Sequence, residues 1–172
     1  MVKIRELHPL EENGKVNIDA WLETIRQKHA FSAEQMDQLR AACNASYSAE
    51  QARTESDKRW ADTSCFHTGL EMADILNELD QDAETLIAAI LYRTVREERL
   101  SLEAVTTEFG QSVANLIEGV LRMASVSALQ SLSEERVLGR AADVQVENLR
   151  KMLVAIIDDV RVALVKIAER TC

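Results

Sequence analysis

The chain has 172 residues, 47% of them hydrophobic, with a net charge of −9, one proline, five glycines and 4% aromatics. That apolar content can build one core, the sparse glycine and proline cannot punctuate many short strands, and the negative charge repels a phosphate backbone. One all-helical domain is therefore expected and direct nucleic-acid binding is not. The opening "MVKIRELHPLEENG" has no apolar leader, and no run approaches the roughly 18 apolar residues of a membrane span, so no membrane role and a cytoplasmic location are expected. Cys43, Cys65 and Cys172 are widely spaced with no CxxC pair, the pattern of reduced thiols rather than a disulfide framework or a zinc site.

In chain order, Ile18, Trp21, Leu22 and Ile25 recur at i, i+3, i+4 and i+7, which predicts a first helix from about Asn17 to Ala30. Ser32 suits the N-cap of a second, since its hydroxyl can accept from a first-turn amide, and Met36, Leu39, Ala42 and Cys43 share that helix's inner face. From Ser48 to Ser64 the pattern dissolves into polar residues, predicting the end of the second helix and then a surface connection pinned by Trp60. Residues 1–64 thus read as a helical lead-in to the core of 65–172, both within a single domain. In the core, Phe66, Leu70, Ala73, Ile75 and Leu76 predict a helix ending near Asp80. Asp82 can cap the next, whose Leu86, Ile87, Ile90 and Leu91 leave it apolar nearly all round and therefore central. Ser101 suits the cap of a short helix closed by Gly110, and Val113, Leu116, Ile117, Val120 and Leu121 mark another stripe. The Ser-rich, charged run from Ser125 to Gln145 predicts a mobile loop or frayed helix ends. Leu149, Met152, Leu153, Ile156, Val160, Leu164 and Ile167 then keep helical spacing to the last residues with no stop signal, as expected of a piece of a longer protein.

No P-loop, GxGxxG or GxSxG occurs. The chemical question is posed by "LIAAILYRTVREERL", residues 86–100, where a core helix runs straight into Tyr92 and Arg93, with Arg96 and Arg99 at three-residue steps. One reading is a solvated helix end, in which Arg96 and Arg99 share water with Glu97, Glu98 and Glu103 and cations suit the helix C-terminus. The other is that the guanidiniums point into a pocket.

"FGQSVANLIEGVLRM" and the later "ENLRKMLVAIIDDVRVALVKIAER" resemble the N-terminal region of the RelA/SpoT family of (p)ppGpp synthetases and hydrolases, from about Phe66 onward. The resemblance implies an all-α, orthogonal multi-helix domain of the HD type. In hydrolase-active members a manganese ion is held by an isolated histidine, a His-Asp pair and a later aspartate, and a nearby Glu-Asp pair assists the attacking water. At the positions that the resemblance aligns with these groups, Thr68 stands for the isolated histidine, Tyr92 and Arg93 for the His-Asp pair, Arg96 and Glu97 for the Glu-Asp pair, and Glu169 for the last aspartate. Arginine has no lone pair to give, and water becomes a useful nucleophile only when a cation lowers its pKa. His67, beside Thr68, is turned about 100° away if the segment is helical.

What the resemblance implies is a degenerate hydrolase pocket with no catalytic, cofactor or metal residues in this segment, as in RelA-type members. Their synthetase domain, using Mg2+ and ATP to pyrophosphorylate GTP or GDP, and their ribosome-contacting regions would lie downstream. The expected partner is that synthetase domain, with a guanine nucleotide on the arginine face as a further candidate. The pair expected to replace the metal is Arg93 with Glu169. The competing expectation is a residual phosphohydrolase whose ion is held by Glu97, Glu169, Asp158 and Asp159.

Overall fold

The computed structural model describes residues 8–11, 15–52, 64–133, 150 and 159–172, with only the backbone for 125–133. Among them are seven helices: α1 (Ile18–Lys28), α2 (Ala33–Gln51), α3 (Cys65–Glu78), α4 (Ala83–Arg96), α5 (Leu102–Phe109), α6 (Gln111–Ser133) and α7 (Val160–Thr171). The described residues form no sheet, only one isolated bridge between Leu10 and Val16. No described helix is long and apolar enough to cross a membrane. Of the three thiols, Cys43 and Cys65 are buried and Cys172 is exposed, and none is in a disulfide.

Local chemistry sets the helix starts. Asn17, Ser32, Asp82 and Ser101 each accept an amide of the first turn, and Ser32 completes a capping box with Gln35. α4 is the central helix: every residue from Leu86 to Tyr92 is buried, and it packs against α2, α3, α6 and α7. Its crossing with α3 is close enough to need a glycine, since a Cβ on Gly69 would stand 2.6 Å from the Ile90 carbonyl oxygen.

α3 and α4 end in the same way. Asp80 (φ 56°) and Glu98 (φ 59°) adopt the left-handed conformation, and the next amides, of Gln81 and Arg99, reach back to the Leu76 and Thr94 carbonyls. In α4 this turn throws Arg99 back over the helix end.

One expectation holds and two need correction. α2 ends at Gln51, inside the stretch expected to close it, and its last turn has a use: the Glu50 carboxylate accepts the Ser64 hydroxyl and the Phe66 amide (2.8 Å), capping α3 from a neighbouring helix. α6 runs to Ser133 rather than fraying from Ser125, and no glycine or proline interrupts it after Gly119. The apolar run toward the end is not one helix: Asp159 is extended and caps α7, whose buried residues are Val162, Val165 and Ala168. Val160 and Ile167, expected inside, are 61% and 57% exposed. Trp60 and the residues 134–149 and 151–158 lie outside the described set.

Candidate functional site

The carboxyl end of α4 meets α7 at a concentrated set of charges. Glu97, the C-cap, has a fully buried side chain held between two guanidiniums: Arg93 Nη2 at 3.3 Å from Oε1, one turn back, and Arg99 Nη2 at 2.9 Å from Oε2. The backbone turn at Glu98 is what makes this sandwich possible. Arg96 reaches across to Glu169 on α7, which also takes Lys166 from its own helix. Glu169 is only 7% exposed. All three arginines sit where a helix C-terminus favours positive charge.

The inter-helix pair is therefore Arg96 with Glu169, not Arg93 with Glu169. Arg93 and Arg96 differ by only about 60° around the helix, and the placement of α7 favours the second. The solvated-end reading does not hold either, since Glu97 is buried and Arg99 is 8% exposed. Tyr92 lies wholly in the core. Burial, then the Glu169 carboxylate, push its phenol pKa well above the usual value, and its hydroxyl makes no well-formed hydrogen bond among the described residues. Thr68, at the start of α3, spends its hydroxyl on the Ser64 carbonyl at 2.9 Å. His67 is exposed, turned away from Thr68 as its spacing requires.

Neighbours that the sequence did not assign to it complete the site. The Cys65 thiol lies 3.4 Å from Glu50 Oε2; burial and that carboxylate raise its pKa to about 11, so it is a protonated donor and no nucleophile. Thr94 shares a buried hydrogen bond with Ser46 at 2.9 Å. Lys166 had a readable signal, its i,i+3 spacing to Glu169. The Glu50 cap had none, because it joins helices through tertiary placement.

At the other end of the same two helices, Arg161 bonds Asp159 (2.7 Å), Asp82 (2.8 Å) and Glu84 (3.2 Å). Start pairs with start and end with end, so α4 and α7 run in the same sense. Asp159 thus lies ten residues before Glu169, about 15 Å along the helix, too far for both to ligate one ion. Asp158 is outside the described residues.

The residues at this site do not fit the divalent ion that the resemblance implies for hydrolase-active members. Its two carboxylates are engaged by arginine and lysine, and the other aligned side chains are a phenol, two guanidiniums and a hydroxyl already bonded within its helix. Among the described residues no group of three or more His, Cys, Asp or Glu is placed to hold a metal.

Comparison with known proteins agrees with the fold. Residues 42–172 match the model of the HD domain family. A protein named GTP pyrophosphokinase from Photobacterium angustum is 34% identical over 172 residues, all of this chain and 21% of the relative. Proteins of the same name from Escherichia coli and Myxococcus xanthus are 30% identical over 170 residues (99% of this chain, 21% of the relative) and 40% over 102 residues (59% and 12%). The similarity thus includes the first sixty residues, beyond the Phe66 limit that the motifs suggested. The chain spans about a fifth of the length of the relatives that match it end to end. With seven described helices, an HD-family match over most of its length and homologues named GTP pyrophosphokinase throughout, the chain belongs to the HD domain family and is a RelA/SpoT relative.

Proposed function

We propose that this segment is a hydrolase-type HD domain without hydrolase activity, serving as a regulatory domain of a RelA-type (p)ppGpp synthetase in the bacterial stringent response. The observation that carries the reading is the charge inversion at the end of α4: arginines and a lysine hold Glu97 and Glu169 where hydrolase-active relatives are expected to hold a metal. A guanidinium neutralises a carboxylate as an ion does, yet it leaves no open coordination position and lowers no water pKa. The domain then works by contact, packing on a synthetase domain in the rest of a longer chain, in the cytoplasm. Mg2+, ATP and ribosome contacts belong to that remainder, and this segment takes no catalytic cofactor of its own. A guanine nucleotide is a secondary candidate ligand of the arginine face, because guanidinium forks suit phosphate.

The test is a (p)ppGpp hydrolysis assay on the purified chain across a Mn2+ titration, with metal content measured in parallel. The expected result is no turnover above the metal-only background. Turnover with stoichiometric bound metal overturns the reading and favours a residual pyrophosphohydrolase with an atypical ion site.

A further inference from the structure

Away from the arginine site, imidazole and carboxylate groups gather where the segment before α1 lies on α3. His8 Nε2 stands 2.9 Å from Asp74 Oδ2, and the other oxygen of that carboxylate accepts the Trp21 indole N–H at 2.9 Å. An ionised carboxylate can only accept, so it places the His8 proton on Nε2 and leaves the lone pair on Nδ1. Metal-bound histidines are oriented in this way, with a carboxylate on one ring nitrogen and the ion on the other.

A second imidazole is within reach. The His67 ring centroid lies 6.1 Å from that of His8, with the planes at 47°. With metal–nitrogen bonds of about 2.1 Å, two imidazoles on one ion place their centroids roughly 5 Å apart at a tetrahedral angle and roughly 6.5 Å apart when opposed. The observed spacing falls inside that interval without backbone movement. His67 is exposed and the His8 side chain is 10% exposed, so an ion can arrive from solvent. The His8 segment is itself anchored, since the Asn17 amide donates to the Pro9 carbonyl and the Glu11 amide to the Lys15 carbonyl, both at 2.7 Å.

We propose that His8 and His67 form a two-histidine site for a borderline divalent ion of the zinc, nickel or copper class, with Asp74 orienting His8 and water filling the remaining positions. Imidazole donors select such ions over Mg2+ or Mn2+, which prefer oxygen. The site is distinct from the arginine pocket and independent of the proposed function. By joining the chain ahead of α1 to α3, an ion there ties together segments that are adjacent only in the folded state, and so stabilises that state.

The test is a Zn2+ titration of the full chain by calorimetry and thermal melting, in a Cys172→Ser background so that the exposed thiol does not compete. The expected result is saturable binding of one ion and a melting temperature raised by about 5 °C at a hundredfold excess over Kd. Both effects are lost in His67→Gln, a surface change that leaves folding intact, and in His8→Gln. They persist in His29→Gln, and Asp74→Asn weakens the affinity about tenfold with the stoichiometry still one. Absence of saturable binding at millimolar Zn2+, or binding that survives both His8→Gln and His67→Gln, overturns the proposal.

Discussion

At the amino ends of α4 and α7 one arginine, Arg161, faces three carboxylates, Asp82, Glu84 and Asp159. At their carboxyl ends Arg93, Arg96, Arg99 and Lys166 close over two, Glu97 and Glu169. Both assortments follow the helix dipoles, acids at the starts and bases at the ends. What separates them is solvent. Asp82 and Glu84 are about half exposed, whereas Glu97 is wholly buried and Glu169 nearly so. In water an ion pair contributes little, and in the interior each partner becomes a condition for burying the other. The same chemical pairing is therefore a weak brace at one end and a structural requirement at the other.

Glu97→Gln should break the comparison most sharply. It leaves Arg93 and Arg99 largely buried without the carboxylate between them, and losing one partner of a buried pair costs about 3 kcal/mol. In a chain of this size the melting temperature should fall by roughly 6–12 °C in a calorimetric scan, with little dependence on salt. A fall below about 2 °C would mean that the two ends are energetically alike.

Glu169→Gln comes next, at about 2 kcal/mol, because Arg96 is a third exposed and water can partly solvate its charge once the carboxylate is gone. Measured by urea unfolding, it should be rescued in part by Arg96→Gln, which removes the stranded cation. Failure of the double variant to recover any stability would deny the Arg96–Glu169 coupling.

The uneven legibility of the molecule has the same origin as this contrast. Caps at Ser32, Asp82 and Ser101, and the apolar faces of α1 to α4, follow from contacts within a few residues, and the sequence declares them. The choice of Arg96 over Arg93 as partner of Glu169 depends on where α7 lies, and residues three apart on a helix are too close in angle for spacing to decide. On α7 itself, Val160 and Ile167 fit helical spacing as well as Val162, Val165 and Ala168 do, and only packing against α3, α4 and α6 selects the second set. The buried state of Glu97 needed the turn at Glu98, and a glutamate in the left-handed region carries no sequence signal of the kind that glycine gives.

At the exposed end, Arg161→Ala should cost about 1 kcal/mol at low ionic strength and less as salt screens the cluster. Its pH dependence is more informative. The Arg161 hydrogen bonds hold the Asp159 carboxyl below its usual range. For Asp82 burial acts upward, but the Thr85 hydroxyl and amide and the Arg161 charge outweigh it, so that carboxyl too is lowered. A carboxyl lowered in the folded state contributes stability above its unfolded pKa of about 3.9 and loses it as pH falls through the folded value. The deficit of Arg161→Ala should therefore be full at neutral pH and narrow below about pH 4. Thr85 is untouched, so part of the acid sensitivity should remain. A deficit constant down to pH 2 would show that Arg161 acts through packing and not through charge.

Glu98→Gly sharpens the comparison by leaving every charge pair in place. Glu98 is exposed and holds φ 59° for the sake of the turn that returns Arg99 to Glu97. Glycine takes that conformation without the Cβ clash, and it removes an acid from a helix end that disfavours one, while adding freedom to the unfolded chain. The balance should be a gain of about 0.5 kcal/mol, or 1–2 °C in melting temperature. In a Glu97→Gln background the gain should be the same, because the turn is a backbone device that precedes the ion pair. If Glu98→Gly instead costs stability, and does so only while Glu97 is present, then the glutamate side chain is itself part of the buried charge network and not merely the residue at its hinge.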